Sequence, residues 1–258
     1  MIEDTTGPRL PKLRLYVADD LGGGAAVTLG RDQSHYLSNV MRATAGDRIA
    51  LFNGRDGEWA GEITSLGKRA VELHVTDNLR PQADEPDLWL AFAPIKRGRI
   101  DFVAAKATEL GVARLIPVMT ARTQMTRVNT GRLRANAVEA AEQCERLTVP
   151  EVSEPASLAE ILSDWPADRR LFVGDETGGG QPIAEAVGDI AAGANQPCGV
   201  LVGPEGGFAT DELDALGKLA FVTKIGLGPR VMRADTAAIA ALAVIQAIAG
   251  DWPISRDR

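Results

Sequence analysis

The sequence predicts an α/β protein: a small β-rich N-terminal part, and a larger C-terminal part in which strands alternate with helices. Within residues 13–80, short segments alternate apolar and polar side chains at a spacing typical of a small barrel. From residue 88 onward, apolar strands alternate with helical patterns, which predicts a parallel sheet covered on both faces. Two glycine-rich segments, 201–208 and 225–236, each follow such a strand and predict a site built largely from backbone.

The N-terminal elements follow from local patterns. Residues 1–12 are polar and proline-containing and are interpreted as a flexible extension. A turn is predicted at Asn53–Gly57 and a helix at Ser34–Arg42, with Ser34 as its N-cap. Strands are predicted at 13–17, 48–52, 59–63 and 70–75.

Residues 81–87 are polar and proline-bearing and are taken as the linker to a domain covering 88–252. Gly111 is predicted to end the first helix of that domain, and Thr210 to cap a later one. Strands are predicted at 88–93, 114–118, 170–174, 199–202 and 222–227. Helices are predicted at 99–110, 129–146, 157–162, 182–191, 210–219 and 236–249.

The closing helix, 236–249, is apolar almost all round. A helix without a polar face is expected to be buried on all sides, either within its domain or between subunits. Its many alanines allow close helix packing, which favours a homodimer interface.

Charge is unevenly distributed along the chain. Residues 94–146 contain ten Lys or Arg against five Asp or Glu, whereas residues 151–221 contain three against thirteen. A basic segment in an acidic protein is consistent with a face that binds a polyanion, but two solvated helix surfaces would give the same pattern.

Composition and motif spacing argue against several classes of protein. No apolar segment resembles a signal peptide or is long enough to span a bilayer, so a cytoplasmic location is predicted. With two cysteines and two histidines, a disulfide framework, a metal site and a histidine-assisted nucleophile are not expected. Neither glycine-rich segment fits a dinucleotide or P-loop fingerprint. The triplet Gly178–Gly180 is interpreted as a plain flexible loop.

Five segments in order resemble the RsmE family of SPOUT methyltransferases. Both glycine-rich segments, 201–208 and 227–237, are similar to the C-terminal SPOUT motifs, and His35–Arg42 is similar to the family's N-terminal signature. Lys106–Val112 and Ala140–Arg146 resemble two further family segments. Met41 and Met232 stand where leucine is usual, and Asp235 stands where glutamate is commoner.

The resemblance implies methylation of N3 of a uridine in 16S ribosomal RNA, with S-adenosyl-L-methionine as cofactor. It also implies a PUA-like RNA-binding barrel in residues 13–80, followed by a SPOUT domain whose C-terminal part forms a trefoil knot. A homodimer acting on 16S rRNA or the small ribosomal subunit, without membrane or metal, is the expected working form.

The resemblance and the residue chemistry together suggest a set of site residues. Glu205 and Asp235 are candidate proton acceptors for N3, and Arg233 is the third catalytic candidate. The simpler alternatives are that Glu205 caps backbone N–H groups and that Asp235 is the N-cap of the closing helix. The predicted cofactor-binding residues, some of which could equally be strand core, are Leu201, Val202, Gly203, Gly207, Ile225, Gly226, Leu227, Gly228, Val231 and Met232.

Arginines are the expected contacts for RNA phosphates. The predicted RNA-binding residues are Arg42, Arg97, Arg122, Arg146 and Arg230, and Lys96, Arg99, Arg127 and Arg132 are further candidates. Two other functions stay open at this stage. One is a SPOUT methylase acting on tRNA or on a ribose 2′-hydroxyl, and the other is a non-catalytic RNA-binding or ribosome-assembly factor.

Overall fold

The computed structural model describes residues 11, 13–67, 70–96, 98–191 and 196–252. The chain forms two compact units. The first contains the described residues up to Asp84 together with Ala141–Val149, and the second contains Glu85–Ala140 and the described residues from Pro150 onward. The sequence had suggested a single break within 81–87, because a return of the chain at residue 141 leaves no local signal.

The strands of the first unit are β1 (Arg14–Tyr16), β2 (Ala26–Thr28), β3 (Arg48–Phe52), β4 (Glu58–Leu66) and β5 (Val71–Arg80). They form one five-stranded sheet in the order β1-β3-β4-β5-β2. β1 pairs with β3 in parallel, and the other pairs are antiparallel. The four predicted strands are confirmed, but the short β2 was missed because only Val27 of its three residues is buried.

The predicted N-terminal helix is present, but it begins earlier than expected. Helix α1 (Arg31–His35) follows Gly30 and continues into a π-helical turn at Tyr36–Val40. Ser34 therefore lies inside the helix, and its assignment as N-cap was wrong. Its buried hydroxyl donates to Leu29 O at 3.1 Å and accepts from Val71 N at 3.0 Å, so it fastens the helix to strand β5.

A buried carboxylate, Glu58, organises one side of the first unit. Its side chain is 2% exposed and receives hydrogen bonds from Arg14 Nε at 2.5 Å and Arg80 Nε at 2.7 Å. Burial, the largest influence, raises the pKa of Glu58, but the hydrogen bonds from Arg80 and Arg14 outweigh it and leave the pKa lowered. Arg14 also donates to the carbonyl oxygens of Ala141, Glu142 and Arg146.

The second unit contains a sheet in which every strand pair is parallel, as predicted. The strands are β6 (Leu88–Phe92), β7 (Arg114–Met119), β8 (Glu151–Val152), β9 (Ala156–Ser157), β10 (Arg170–Gly174), β11 (Gln181–Pro182), β12 (Cys198–Val202) and β13 (Val222–Gly226). Their order in the sheet is β11-β13-β10-β12-β6-β7-β8, and β9 pairs with β7. The three two-residue strands were not predicted, since two residues carry no periodicity.

All six helices predicted from residue 88 onward are present, and the last residues of the helix Thr130–Cys144, from Ala141, belong to the first unit. Gly111 has φ of 79°, which suits its predicted place just after a helix. The prediction of Thr210 as a cap was wrong: Ala209 precedes the helix, and Glu212 Oε2 accepts a hydrogen bond from Ala209 N at 2.8 Å. The helices are α2 (Arg99–Glu109), α3 (Thr130–Cys144), α4 (Leu158–Ser163), α5 (Ile183–Ala191), α6 (Thr210–Leu216) and α7 (Ala234–Ala249).

Alternation along the strands divides the core of the second unit into two layers. In β6, Leu90 contributes to the layer under α2, α5 and α7, whereas Ala91 contributes to the layer under α4 and α6. The sheet is therefore covered on both faces. Helix α7 is not buried on all sides within one chain, because Ile239, Ala240 and Ala243 remain partly exposed.

Candidate active site

A cavity of about 630 Å³ lies at the carboxyl ends of β10, β12 and β13. Its walls are the three segments that follow these adjacent strands, 174–182, 202–207 and 225–237. The carboxyl ends of parallel strands are the usual place for ligands in open α/β sheets. The two glycine-rich segments singled out in the sequence thus meet at one site.

Glycine is favoured at several points of this cavity, either because a Cβ would crowd neighbouring atoms or because the backbone has a positive φ. A Cβ on Gly203 would lie 3.0 Å from the ring of Phe208, and one on Gly180 would lie 2.4 Å from the carbonyl carbon of Ile225. Gly207 and Gly228 have positive φ values of 67° and 95°. These residues expose backbone N–H and C=O groups to a bound molecule.

All the predicted cofactor-binding residues except Leu201 line the cavity. Leu201 is 1% exposed and packs in the layer under α4 and α6, so the alternative of strand core applies to it. Its neighbour Val202 is the β12 residue that reaches the cavity. Alternation along the strand separates the two, and the sequence did not show which of them faced the site.

A third wall, residues 174–182, was not predicted. The triplet Gly178–Gly180 lies in a loop, as interpreted, but Gly178 and Gly180 also line the cavity. Asp175 is 8% exposed, and its Oδ1 accepts hydrogen bonds from Thr177 N at 2.9 Å and Thr177 Oγ1 at 2.6 Å. The sequence offered no local signal for this wall, because its place depends on strand order: β10 lies between the strands bearing the two recognised motifs.

The three catalytic candidates lie in different settings. Glu205 and Arg233 are exposed residues of the cavity wall, as is Arg230. Asp235 does not line the cavity: it is the second residue of α7, and its Oδ1 accepts from Thr236 N at 2.9 Å. The helix is preceded by Arg233 in an extended conformation, so the alternative of Asp235 as N-cap was wrong.

Arg99, at the start of α2, lies between the two candidate carboxylates. Its Nη1 is 3.9 Å from Glu205 Oε1, and its Nε is 3.8 Å from Asp235 Oδ2. Both separations exceed hydrogen-bond length, so the attraction is electrostatic and leaves room for the groups to rearrange. The sequence had suggested Arg99 only as one phosphate contact among several.

The predicted RNA-binding arginines are dispersed. Arg122 is exposed, and its Nη1 donates to Gly206 O at 2.8 Å, beside the cavity. Arg42 is exposed in the first unit and has φ of 53°, a conformation that non-glycine residues seldom adopt. Arg146 is half-buried and donates to Thr148 Oγ1 at 2.9 Å. Arg97 lies outside the described residues.

The part of the chain that the structure describes contains neither a cluster of metal ligands nor a membrane-spanning helix. Within that part of the chain, no group of histidine, cysteine and carboxylate side chains could hold a metal ion. In the same residues, no helix is long and apolar enough to cross a membrane.

Comparison with known proteins gives matches to both units. A family model described as an RNA methyltransferase domain matches residues 83–246, and an RNA methyltransferase PUA domain matches residues 29–76. Ribosomal RNA small subunit methyltransferase E of Rickettsia conorii is 32% identical over 234 residues, covering 90% of this chain and 94% of the relative.

Two solved structures are similar over nearly the whole chain. Ribosomal RNA small subunit methyltransferase E of Neisseria gonorrhoeae, bound to S-adenosyl methionine, superposes with a TM-score of 0.83 at 27% identity and covers 94% of this chain and 99% of that one. A Legionella pneumophila methyltransferase with bound S-adenosyl methionine gives 0.79 at 27% identity, covering 93% and 98%. On the family model and the Rickettsia relative together, this chain belongs to the ribosomal RNA small subunit methyltransferase E family.

Proposed function

We propose that this protein transfers a methyl group from S-adenosyl-L-methionine to N3 of a uridine in 16S rRNA of the small ribosomal subunit. One observation carries the proposal: a glycine-walled cavity at the carboxyl ends of three adjacent strands has Glu205, Arg230 and Arg233 in its wall. Membership of the methyltransferase E family supplies the class of reaction and substrate.

The cavity suits a molecule of the cofactor's kind. Its volume of about 630 Å³ falls within the range of roughly 300–1,000 Å³ typical of small-molecule sites. Backbone groups freed by Gly203, Gly226 and Gly228 can hydrogen-bond an adenine and a ribose, and Val202, Leu227 and Met232 offer apolar contact. The carboxylate of Asp175 is a further candidate partner for the cofactor's polar groups. When bound, the cofactor supplies an electrophilic methyl group on a sulfonium.

N3 of uridine becomes a nucleophile only when its proton is removed, because the N3 lone pair is otherwise delocalised into the ring carbonyls. Glu205 is the better placed acceptor, since it is exposed in the cavity wall whereas Asp235 is not. The N3–H electron pair then forms the bond to the methyl carbon, and the carbon–sulfur pair returns to sulfur. Negative charge developing on the uracil oxygens is stabilised by Arg230 and Arg233.

Three architectural proposals accompany this function. Closure of the first unit's sheet into a PUA-like barrel is supported by the match of residues 29–76 to a PUA model. A trefoil knot around the cofactor is supported by family membership. A homodimer is supported by the partly exposed apolar residues of α7, which a second copy would cover. A cytoplasmic location accords with an rRNA substrate.

The test is methyl transfer from labelled S-adenosyl-L-methionine to small ribosomal subunits that lack the modification, followed by mass spectrometry of the nucleosides. The expected product is 3-methyluridine. Transfer to tRNA or to a 2′-hydroxyl instead would overturn the substrate and keep the enzyme class. Cofactor binding without transfer to any RNA would favour an assembly factor.

A further inference from the structure

We propose that a second cavity in the same unit binds one nucleotide of the RNA next to the target uridine. This cavity, of about 520 Å³, lies where α2 and α3 begin. Its described lining is Ile100, Asp101, Met125, Arg127, Val128, Asn129, Thr130, Arg132 and Leu133. The inference rests on the proposed function and adds a contact for the substrate outside the methyl-transfer cavity.

The lining offers an apolar surface for a base and a positive charge for a phosphate, the two kinds of contact that a nucleotide makes. Ile100 and Leu133 are buried, and Met125 and Val128 are half-buried, so the floor is apolar and can contact the face of a base. Arg127 is exposed at the cavity and is available to a phosphate. The pocket size falls within the range of roughly 300–1,000 Å³ that small-molecule ligands use.

The electrostatics favour an anion. The carboxylate of Asp101 is the single acidic group in the described lining, and Arg132 binds it through Nε at 2.9 Å and Nη2 at 2.7 Å. Asn136 Nδ2 donates to the same carboxylate at 3.0 Å. With Asp101 paired to Arg132, Arg127 carries the remaining charge of the described lining, and Glu154 offsets the positive end of the α3 dipole. Thr130 Oγ1 donates to Glu154 Oε1 at 3.0 Å, outside this lining.

Two chain segments connect this cavity to the methyl-transfer cavity. At the start of α2, Arg99 faces Glu205 and Asp235, and the next residue, Ile100, lines the second cavity. After β7, Arg122 donates to Gly206 O, and three residues later Met125 reaches the second cavity. We assign this cavity to a nucleotide flanking the target because each of the two segments has residues at both cavities.

A matched pair of variants tests the subsite. Arg127 and Arg134 are both exposed arginines of the same segment, but only Arg127 lines the cavity. We expect Arg127→Ala to raise the KM for unmodified small subunits about tenfold, with kcat and S-adenosyl-L-methionine affinity unchanged, as for loss of a charged phosphate contact. Arg134→Ala should stay within twofold of the wild type.

Salt dependence of subunit binding, measured by filter retention, gives a readout that does not need turnover. The slope of log affinity against log salt should fall by about 0.7 for Arg127→Ala, as expected for one single-strand phosphate contact, and should not change for Arg134→Ala. Val128→Trp, which fills the cavity, should weaken subunit binding without changing cofactor binding.

The outcomes separate the two proposals. If the wild-type protein transfers no methyl group, the proposed function fails, and the salt slopes still decide the subsite. If the wild type is active and the two arginine variants behave alike, the subsite is wrong. A change in molecular mass by light scattering on Arg127→Ala or Val128→Trp would assign this surface to a second copy of the chain and would also overturn the subsite.

Discussion

Arginine and carboxylate side chains are paired differently at the two edges of the parallel sheet, where the strands begin and where they end. At the edge where the strands begin, Arg169 is 5% exposed and forms a direct ion pair with Asp87. At the edge where they end, Arg99 is more than one-third exposed and stands 3.9 Å and 3.8 Å from Glu205 and Asp235. Charges in direct contact at the first edge contribute to stability, whereas loosely paired charges beside a cavity are typical of a functional site.

At the edge where the strands begin, the side chains around Arg169 form a packed cluster. Arg169 donates to Asp87 O at 2.8 Å and to Cys198 O at 3.3 Å, and its guanidinium carbon lies 3.7 Å from the centre of the Trp89 ring. Trp165 packs edge-on against Trp89, with ring centres 5.4 Å apart. Burial, the largest influence, raises the pKa of the Cys198 thiol to about 11, so it stays protonated and unreactive at neutral pH.

The first prediction concerns the direct ion pair between Arg169 and Asp87. Arg169→Ala should lower the free energy of unfolding by about 3 kcal/mol, because it removes a buried cation from Trp89 and leaves two carbonyl oxygens without their donor. Urea denaturation measures this loss. Methyl transfer per folded molecule should stay within twofold at low temperature. The adjacent exposed Arg170, changed to alanine, should alter stability by no more than about 0.5 kcal/mol.

The second prediction concerns the edge where the strands end, where we expect a loss of activity without a loss of stability. Arg233→Ala should reduce kcat for methyl transfer about 100-fold, equivalent to about 2.7 kcal/mol, because a charge that stabilises the transition state is lost. Thermal denaturation should be unchanged, since Arg233 is exposed and takes part in the helix start through its backbone. Retention of more than a third of the wild-type kcat, with the fold intact, would remove Arg233 from the chemistry.

The third prediction applies the same distinction to the first unit. Glu58→Gln should cost about 2 kcal/mol at pH 7, because Arg14 and Arg80 lose a buried counter-charge. The pKa of Glu58 is lowered from 4.5, so its stabilisation is present above pH 4.5 and is lost as the pH falls through the folded value.

Urea denaturation from pH 7 down to pH 3 checks this sign. The wild type and Glu58→Gln should converge in stability at the acid end, whereas Glu62→Gln, an exposed change on the same strand, should follow the wild type throughout. A constant difference between wild type and Glu58→Gln across this range would show that titration of Glu58 is not linked to folding.

The sequence predicted most of the second unit because periodicity is a local signal. Helix α2 and strand β10 were predicted within one residue at each end, and the meeting of the two glycine-rich segments followed from parallel strands ending at one edge. What the sequence left out depends on tertiary contact. Serine is a residue type favoured at N-caps, but the hydroxyl of Ser34 forms hydrogen bonds with Leu29 O and Val71 N instead. The helix begins earlier, at Arg31.

The site shows the same limit. Leu201 and Val202 both belong to a buried strand, and only the position of the helix layers decides which of them faces the cavity. Asp175 lies far from either recognised motif in sequence and joins them through strand order. Arg99 is one of several arginines in a basic segment, and its place between two carboxylates depends on where α2 and α7 begin.

The last prediction tests whether loose pairing at the functional edge matters. Arg99→Ala should lower kcat about tenfold and leave the KM for small subunits nearly unchanged, because Arg99 positions Glu205 electrostatically and need not touch RNA. Arg99→Lys should recover part of the loss by restoring the charge. Lys218→Ala, an exposed change outside the cavity wall, serves as the control for net charge.

A rise in KM with kcat unchanged would instead make Arg99 a phosphate contact, as the sequence first suggested. The distinction is physical: a residue that holds substrate equally in the ground and transition states changes KM, whereas one that orients a reacting carboxylate changes kcat. With distances of 3.9 Å and 3.8 Å to two carboxylates, Arg99 is already partly neutralised, and a phosphate would have to compete with both. We therefore expect Arg99→Ala to lower kcat and to leave the KM for small subunits nearly unchanged.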